Sequence, residues 1–293
     1  MRVQLFHKMI RSEASARRAL HQRRFARADR TRTRCLRCDS PTVYALTEGR
    51  WRCRPCGYTF GLLTGSWAGE LRVTATMWLW LVKLFELEVT AAQAALQTGL
   101  SYPTALRGFT VLRRAILGQE EPSLLPLVSD AVEADESYFG PRRPRRHRGL
   151  GYAGRKVPHK TPVLGILERH GRVRVSVVPD CSAETLLGET LKMVKRGSLV
   201  YTDRWRGYDT LTFCGYRHLR VNKARRFSRG KVHVNGLEGF WAYAKGKLLK
   251  FHGVSPAKFP LYLYEMQFRY NHRQEDLFEL LLHALLKPVP DPL

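Results

Sequence analysis

The spacing of apolar residues changes twice along the chain, and each change marks a new kind of element. Between residues 71 and 118 the period is helical. "ATMWLWLVKLFEL" is apolar on nearly every side, as a buried helix is. "VTAAQAALQTGL" opens on Thr90 with Gln93 three positions later, a capping box, and closes on Gly99, suited to a left-handed C-cap. Ser101 then caps a third helix, "YPTALRGFTVLRRAI", with Pro103 in its first turn. Two helices joined by a short glycine-containing turn fit a helix-turn-helix. On the third helix Arg107, Arg113 and Arg114 are expected to be exposed and to contact phosphates or a groove. An ordinary helical hairpin would share this spacing.

After "EEPSLLPLVSD", which reads as a linker, the period becomes that of strands. "AVEADESYF", "TPVLGILER" and "GRVRVSVVPD" are expected strands, the last two joined around Gly171. "SAETLLGETLKMVKR" is an amphipathic helix. "GSLVYTD" is a short strand ending at Asp203, and "NGLEGFWAYAKGKLLKF" is a helix, with one or two more over 256–286. Strands followed by alternating strand and helix predict an α/β core with a mixed sheet. In the helix from Asn235, Leu237, Phe240, Trp241, Ala244 and Leu248 make the buried stripe, and Glu238 and Lys245 flank it. Trp241 and Phe240 are therefore expected in the core, while Trp205 and Tyr208 beside Asp203 could touch a ligand.

Charge adds a partner to this picture. Fifty Lys and Arg face 25 Asp and Glu, a net charge of +25. Polyanions bind such chains by releasing counterions, so nucleic acid is the expected partner rather than an anionic membrane. The absence of any apolar run of about 18 residues and of an apolar leader segment points to a cytoplasmic, nucleoid-associated protein. Residues 1–33 hold many cations and read as a basic arm, helical or extended, able to touch phosphates. Residues 141–160 and 217–231 are acid-free basic stretches.

Four of the six cysteines, Cys35, Cys38, Cys53 and Cys56, form CxxC-x14-CxxC. Each pair sets two thiolates on one turn, and two such turns close a tetrahedron around one structural Zn²⁺. The intervening residues alternate like a hairpin with Glu48-Gly49 at its tip, so 34–66 reads as a zinc ribbon.

Acids are scarce enough for their positions to be informative. Glu238 is the only acid in the 55 residues between Asp209 and Glu265, a stretch with eleven Lys and Arg. Asp135 lies on the first core strand, Asp203 at the end of a later one, and Glu238 in the first turn of a helix. Each has a plain alternative: an ion pair for Asp135, an N-cap for Asp203, and a capping box with Asn235 for Glu238. Asp130, Glu133 and Glu136 compete for the first role. Taken together, a carboxylate cluster among cations would suit hard divalent ions, Mg²⁺ or Mn²⁺. Two such ions can serve phosphoryl transfer by activating an attacking oxygen and stabilising a leaving one.

"CLRC…CRPCGYTF", "ADESYFG", "YTDRWRGYDTL", "HVNGLEGFWAYAKGKLLKFHGV" and "FRYNHR" together resemble the DDE transposases of bacterial insertion sequences, most closely the zinc-ribbon, ISXO-two-like family. The resemblance covers about residues 33–275. It implies an RNase H-like core over about 127–275, with Asp135, Asp203 and Glu238 as ligands of the two metal ions. Lys245 matches the basic residue used near the DNA end, and Asn235 or His233 could substitute as third ligand. It also implies an N-terminal ribbon and helical region (70–118) that bind terminal repeats, a multimer on DNA, and a short C-terminal segment (276–293). An inactive or regulatory DNA-binding protein of the same ancestry and a structure-specific nuclease are the rival readings.

Overall fold

The computed structural model describes residues 1–25, 33–120, 130–140, 160–169, 171–203, 206–220 and 235–290. The linker 121–129, Trp205, His233, and most of both acid-free basic stretches lie outside the described residues, as does the side chain of Asn235. The chain forms two compact units. One joins Met1–Gln119 to Gln274–Leu293, and the other is Glu120–Arg273.

The first unit begins with two helices in the basic segment, α1 (Val3–Ile10) and α2 (Glu13–Phe25), the helical of the two forms expected there. They are packed on the unit for a clear reason. Ala16, Ala19 and Leu20 recur at helical spacing and are buried, so α2 packs closely on α3 (Ala75–Glu86). Its cations serve the fold as well. Arg23 pairs with Glu279 at 2.6 Å, and Arg24 donates to the carbonyls of Leu62 and Thr64.

Three short antiparallel strands follow, β1 (Val43–Ala45), β2 (Trp51–Cys53) and β3 (Thr59–Phe60). Gly49 turns the β1–β2 hairpin at φ 72°, a left-handed conformation in which a side chain would be strained. Helix α3 buries Trp78, Leu79, Leu81, Val82 and Phe85. In α4 (Ala91–Thr98), the Thr90 hydroxyl accepts from the Gln93 N–H, and Gly99 ends the helix at φ 71°. Ser101 accepts from the Thr104 N–H at the start of α5 (Tyr102–Glu120). Gly108 lets α5 approach α3, since a Cβ there would lie 2.9 Å from Leu81 Cδ1.

The last helix, α9 (Leu277–Leu286), returns to this unit. It packs on α3 and α2, and Phe278 meets Phe6 edge-on at 5.7 Å. The segment that forms the second unit is thus inserted in sequence between the two parts of the first. Among the described residues no helix is long and apolar enough to cross a membrane.

The second unit is a five-stranded mixed sheet flanked by helices. Its strands are β4 (Ala131–Phe139), β5 (Thr161–Glu168), β6 (Val173–Val177), β7 (Leu199–Thr202) and β8 (Arg217–Arg220), in the order β6-β5-β4-β7-β8. β4, β5 and β6 pair antiparallel, while β7 and β8 run parallel to β4. Alternation sorts the two faces. Val132, Ala134, Leu164 and Ile166 pack with Leu186 and Met193 of α6 (Ala183–Met193). Phe139, Val163, Leu167 and Val175 pack with Leu237, Phe240, Trp241 and Ala244 of α7 (Asn235–Leu248) and with Leu263 and Met266 of α8 (Phe259–Asn271). The expected stripe of α7 is the buried one.

Helix α8 also closes the β6 edge. Asn271 and Gln267 accept from the Val173 and Val175 N–H groups, each at 2.8 Å. Gly165 has room for no side chain, because a Cβ would stand 2.5 Å from Trp241 Cζ2. Strand β8 was not foreseen. Its burial is slight and its residues are Arg, His, Leu and Arg, so no apolar alternation announces it.

Candidate active site and metal centre

Two of the three expected carboxylates lie on or just after neighbouring strands, β4 and β7. Glu133 of β4 is registered with Tyr201 of β7 in a parallel pair. Asp135 lies two residues beyond Glu133 on β4, Asp203 follows directly on the last residue of β7, and both act electrostatically on Glu136 and Tyr208. Both acids are half-buried. Asp135 also lies opposite Gly165 of β5, so it faces α7, and its Oδ2 accepts from Trp241 Nε1 at 3.1 Å.

Negative charge is concentrated at this end of the strands. Burial, the nearby Asp135 and the more weakly felt Asp203 push the Glu136 carboxyl up to about 7, against the hydrogen bond that Tyr208 donates to Glu136 Oε2 at 2.9 Å. Tyr208 is 1% exposed. Its hydroxyl is therefore an internal partner of Glu136 rather than a surface contact for a ligand.

Glu238 lies in the first turn of α7 and is exposed. The first turn of this helix is tied down by another acid. Leu237 N–H donates to Oε2 of Glu133 at 3.1 Å, and Glu133 is 2% exposed. Glu133 thus serves a helix end from near the start of β4, and Asp130 precedes that strand in an exposed position. Lys245, two turns after Glu238, sets its Nζ 5.5 Å from the Phe139 ring centroid. Burial and Lys160 lower its pKa, and Asp135 opposes them.

The four cysteines meet as expected. Sulfur–sulfur distances are 3.5 Å for Cys35–Cys56, 3.6 Å for Cys38–Cys53 and 3.5 Å for Cys38–Cys56. Zn–S bonds of about 2.3 Å in a tetrahedron space sulfurs by about 3.8 Å, so four thiolates at these distances fit zinc. Arg37 N–H points at Cys35 Sγ from 3.4 Å. Among the described residues these cysteines are the one group of three or more His, Cys, Asp or Glu whose ligand atoms all lie within 4.8 Å of one another. Asp135, Asp203 and Glu238 form no such group.

The three arginines of α5 divide. Arg107 and Arg114 are exposed, and both reach Glu70: Arg107 at its carbonyl over 3.1 Å, Arg114 at its carboxylate over 2.6 Å. Arg113 is 2% exposed, with its guanidinium 5.3 Å from the Phe85 ring centroid. The expectation that Arg113 is displayed on the surface is therefore corrected. Helical spacing puts it on the face with Phe109 and Ile116, which packs inward.

With this geometry in place, the comparisons decide the family. The family model of the ISXO2-like transposase domain matches residues 127–271. An "Uncharacterized transposase-like protein" of Haemophilus influenzae is 38% identical over 103 residues, which span 35% of this chain and 84% of that relative. The chain belongs to the ISXO2-like transposase family.

The matched region of this transposase begins just before β4 and ends with α8, so it holds all three carboxylates and Lys245. The ribbon and the helices of the first unit lie outside it. The transposase is also similar to solved structures of Mos1. The Mos1 strand transfer complex is 13% identical, with 71% of this chain and 73% of that chain covered and a TM-score of 0.27. A pre-cleavage Mos1 transpososome is 13% identical, with 72% and 79% covered and a TM-score of 0.23.

Three features of this region were not foreseen: the Glu133 bond to Leu237, the Trp241 bond to Asp135, and the Glu136–Tyr208 pair. The only trace of the first in the sequence is an acid spaced by two from Asp135 on the same strand.

Proposed function

We propose that this transposase binds the terminal repeats of an insertion sequence, cuts a strand at the element end, and joins the exposed 3′-hydroxyl to target DNA. The reading rests on Asp135 of β4 and Asp203 just after β7, two half-buried acids that both act on Glu136, in a chain of net charge +25. That sheet, with three antiparallel strands followed by two parallel ones, is read as an RNase H-like core. Its donor set is all oxygen and partly exposed, which suits Mg²⁺ or Mn²⁺ with water and phosphate oxygens completing the shell. Asp135, Asp203 and Glu238 would hold two such ions, which when bound activate the attacking oxygen and stabilise the leaving one.

The chain's own residues do the rest. Trp241 fixes the Asp135 carboxylate. Lys245, close to Asp135 and still reaching solvent, offsets phosphate charge at the DNA end. Cys35, Cys38, Cys53 and Cys56 hold one Zn²⁺, and the ribbon with α4 and α5 presents Arg107 and Arg114 to the repeat. In the first step a water oxygen attacks phosphorus and the P–O3′ bond breaks, leaving a 3′-hydroxyl. In the second, that hydroxyl attacks a target phosphodiester and displaces its 3′ oxygen. Joining two ends calls for a multimer on DNA.

The test is a labelled duplex carrying a candidate element end, incubated with Mg²⁺ or Mn²⁺ and then with target plasmid. Metal-dependent nicking followed by a joined product supports the transposase reading. Nicking without joining favours a structure-specific nuclease, and binding without nicking favours a regulatory or inactive protein.

A further inference from the structure

Glu133 is a buried acid near the start of β4, and its three neighbours stand in an ordered relation to the candidate ligands. Along its own strand it is two residues before Asp135, so both side chains belong to the same face. Across the β4–β7 pair it is registered with Tyr201, two residues before Asp203. Through Oε2 it accepts from the N–H of Leu237, the residue before Glu238, at 3.1 Å. Its Oε1 lies 3.9 Å from Arg169 Nε, and the Arg169 guanidinium lies 3.8 Å from the Tyr201 ring centroid. One carboxylate therefore connects the strand of Asp135, the strand of Asp203 and the helix of Glu238.

The helix is pressed onto this group. A Cβ on Gly236 would stand 2.4 Å from Leu167 Cδ2 and 3.0 Å from Glu133 Oε2, so a side chain there would have to displace Leu167 and crowd the Glu133 carboxylate. Stability alone does not call for an acid here. Burying a carboxylate is costly, and a buried ion pair is often matched or exceeded by well-packed apolar residues of similar volume. The acid offers what an apolar side chain does not: an acceptor aimed at a helix N-terminus, which fixes that end in both distance and orientation.

We propose that Glu133 is a positioning residue that sets the distance of Glu238 from Asp135 and Asp203, and so tunes the affinity of the site for divalent cations. This rests on the ligand reading above. Partners that orient metal ligands are worth about 10- to 100-fold in metal affinity when removed.

The experiment measures binding of Mn²⁺ alone to the full chain, from the loss of the free-ion electron paramagnetic resonance signal, with thermal melting beside it. Glu133→Gln keeps an acceptor for the Leu237 N–H and should bind Mn²⁺ close to the parent. Glu133→Ala loses the acceptor and should bind about 10- to 100-fold more weakly. Gly236→Ala keeps every carboxylate but lifts the helix end, and should also weaken binding. If Glu133→Ala fails to fold, Gly236→Ala decides.

Parent-like Mn²⁺ affinity in the folded Ala variants, with only the melting temperature lowered, overturns the proposal. So does a Glu133→Gln variant that binds weakly while Gly236→Ala does not, since charge rather than position would then be at work. Glu238→Gln is the control for the underlying reading. If it binds Mn²⁺ like the parent, Glu238 is not a ligand, whatever Glu133 does.

Discussion

The indole N–H of Trp241 donates to Oδ2 of Asp135 across 3.1 Å, joining α7 to the strand beside it. The same ring covers Gly165, so helix, β5 and the candidate ligand meet at one side chain. Trp241→Phe keeps a ring in the core and removes the donor. The loss of a hydrogen bond to a charged group should lower stability by about 1.5–3 kcal/mol. An Asp135 carboxylate no longer held in place should slow strand cleavage by up to about 100-fold. Calorimetric melting and a nicking assay measure the two separately. Parent-like cleavage in the Phe variant would show that the bond serves packing alone.

The arginines of α5 should separate into fold and surface. Arg113→Ala removes a buried cation and its stem from over Phe85, and should cost about 2 kcal/mol or more. Arg107→Ala and Arg114→Ala should stay within about 1 kcal/mol of the parent, because exposed pairs such as Arg114–Glu70 contribute little. If these two contact phosphates, each loss should weaken binding to all duplexes alike and reduce the salt dependence by about one unit of slope. Equilibrium melting and fluorescence anisotropy across a salt series make the comparison.

The ribbon should carry one zinc per chain. Cys53→Ser, or a strong chelator, should release it and loosen residues 35–60, while the melting of the second unit is unchanged. Elemental analysis with proteolysis of the metal-free protein measures both. Protein purified without chelators and free of zinc would contradict the assignment.

Legibility in the sequence followed the range of the interactions. The ribbon could be read because thiolate spacing within a turn is local. The caps at Thr90 and Ser101 and the left-handed Gly99 could be read because each depends on residues within one helical turn. β4 and the strand ending at Asp203 were visible through alternation, and the stripe of α7 through its helical period. What escaped depends on distant partners. β8 sits at an edge with charged side chains, so it lacks the alternation of a half-buried strand. α2 hides a stripe of two alanines and a leucine among arginines, too small to outweigh its charge.

The return of α9 to the first unit is a contact between chain ends, which no local period encodes. Arg113 could be placed on a buried face only once α3 was known to lie there. At the candidate site the sequence offered the residue types of Asp135, Asp203 and Glu238. The parallel pairing of β4 with β7, and the Glu133 and Trp241 bonds to Leu237 and Asp135, are visible only in the fold.

The central claim is that Asp135, Asp203 and Glu238 act as one metal-dependent site, and Glu238→Gln tests it most directly. Glutamine keeps the size and the acceptor that a capping role needs, and losing a cap altogether costs only about 0.5–2 kcal/mol. The measurement is Mg²⁺- or Mn²⁺-dependent nicking of a labelled terminal-repeat duplex, with thermal melting and duplex binding as controls. The account predicts intact folding and binding, with nicking and strand transfer lost by orders of magnitude. Asp135→Asn and Asp203→Asn should match it, and the combined variant should be no worse than the singles, because one site is being disabled. A Glu238→Gln protein that nicks as fast as the parent would contradict the account and leave Glu238 a helix-terminal residue.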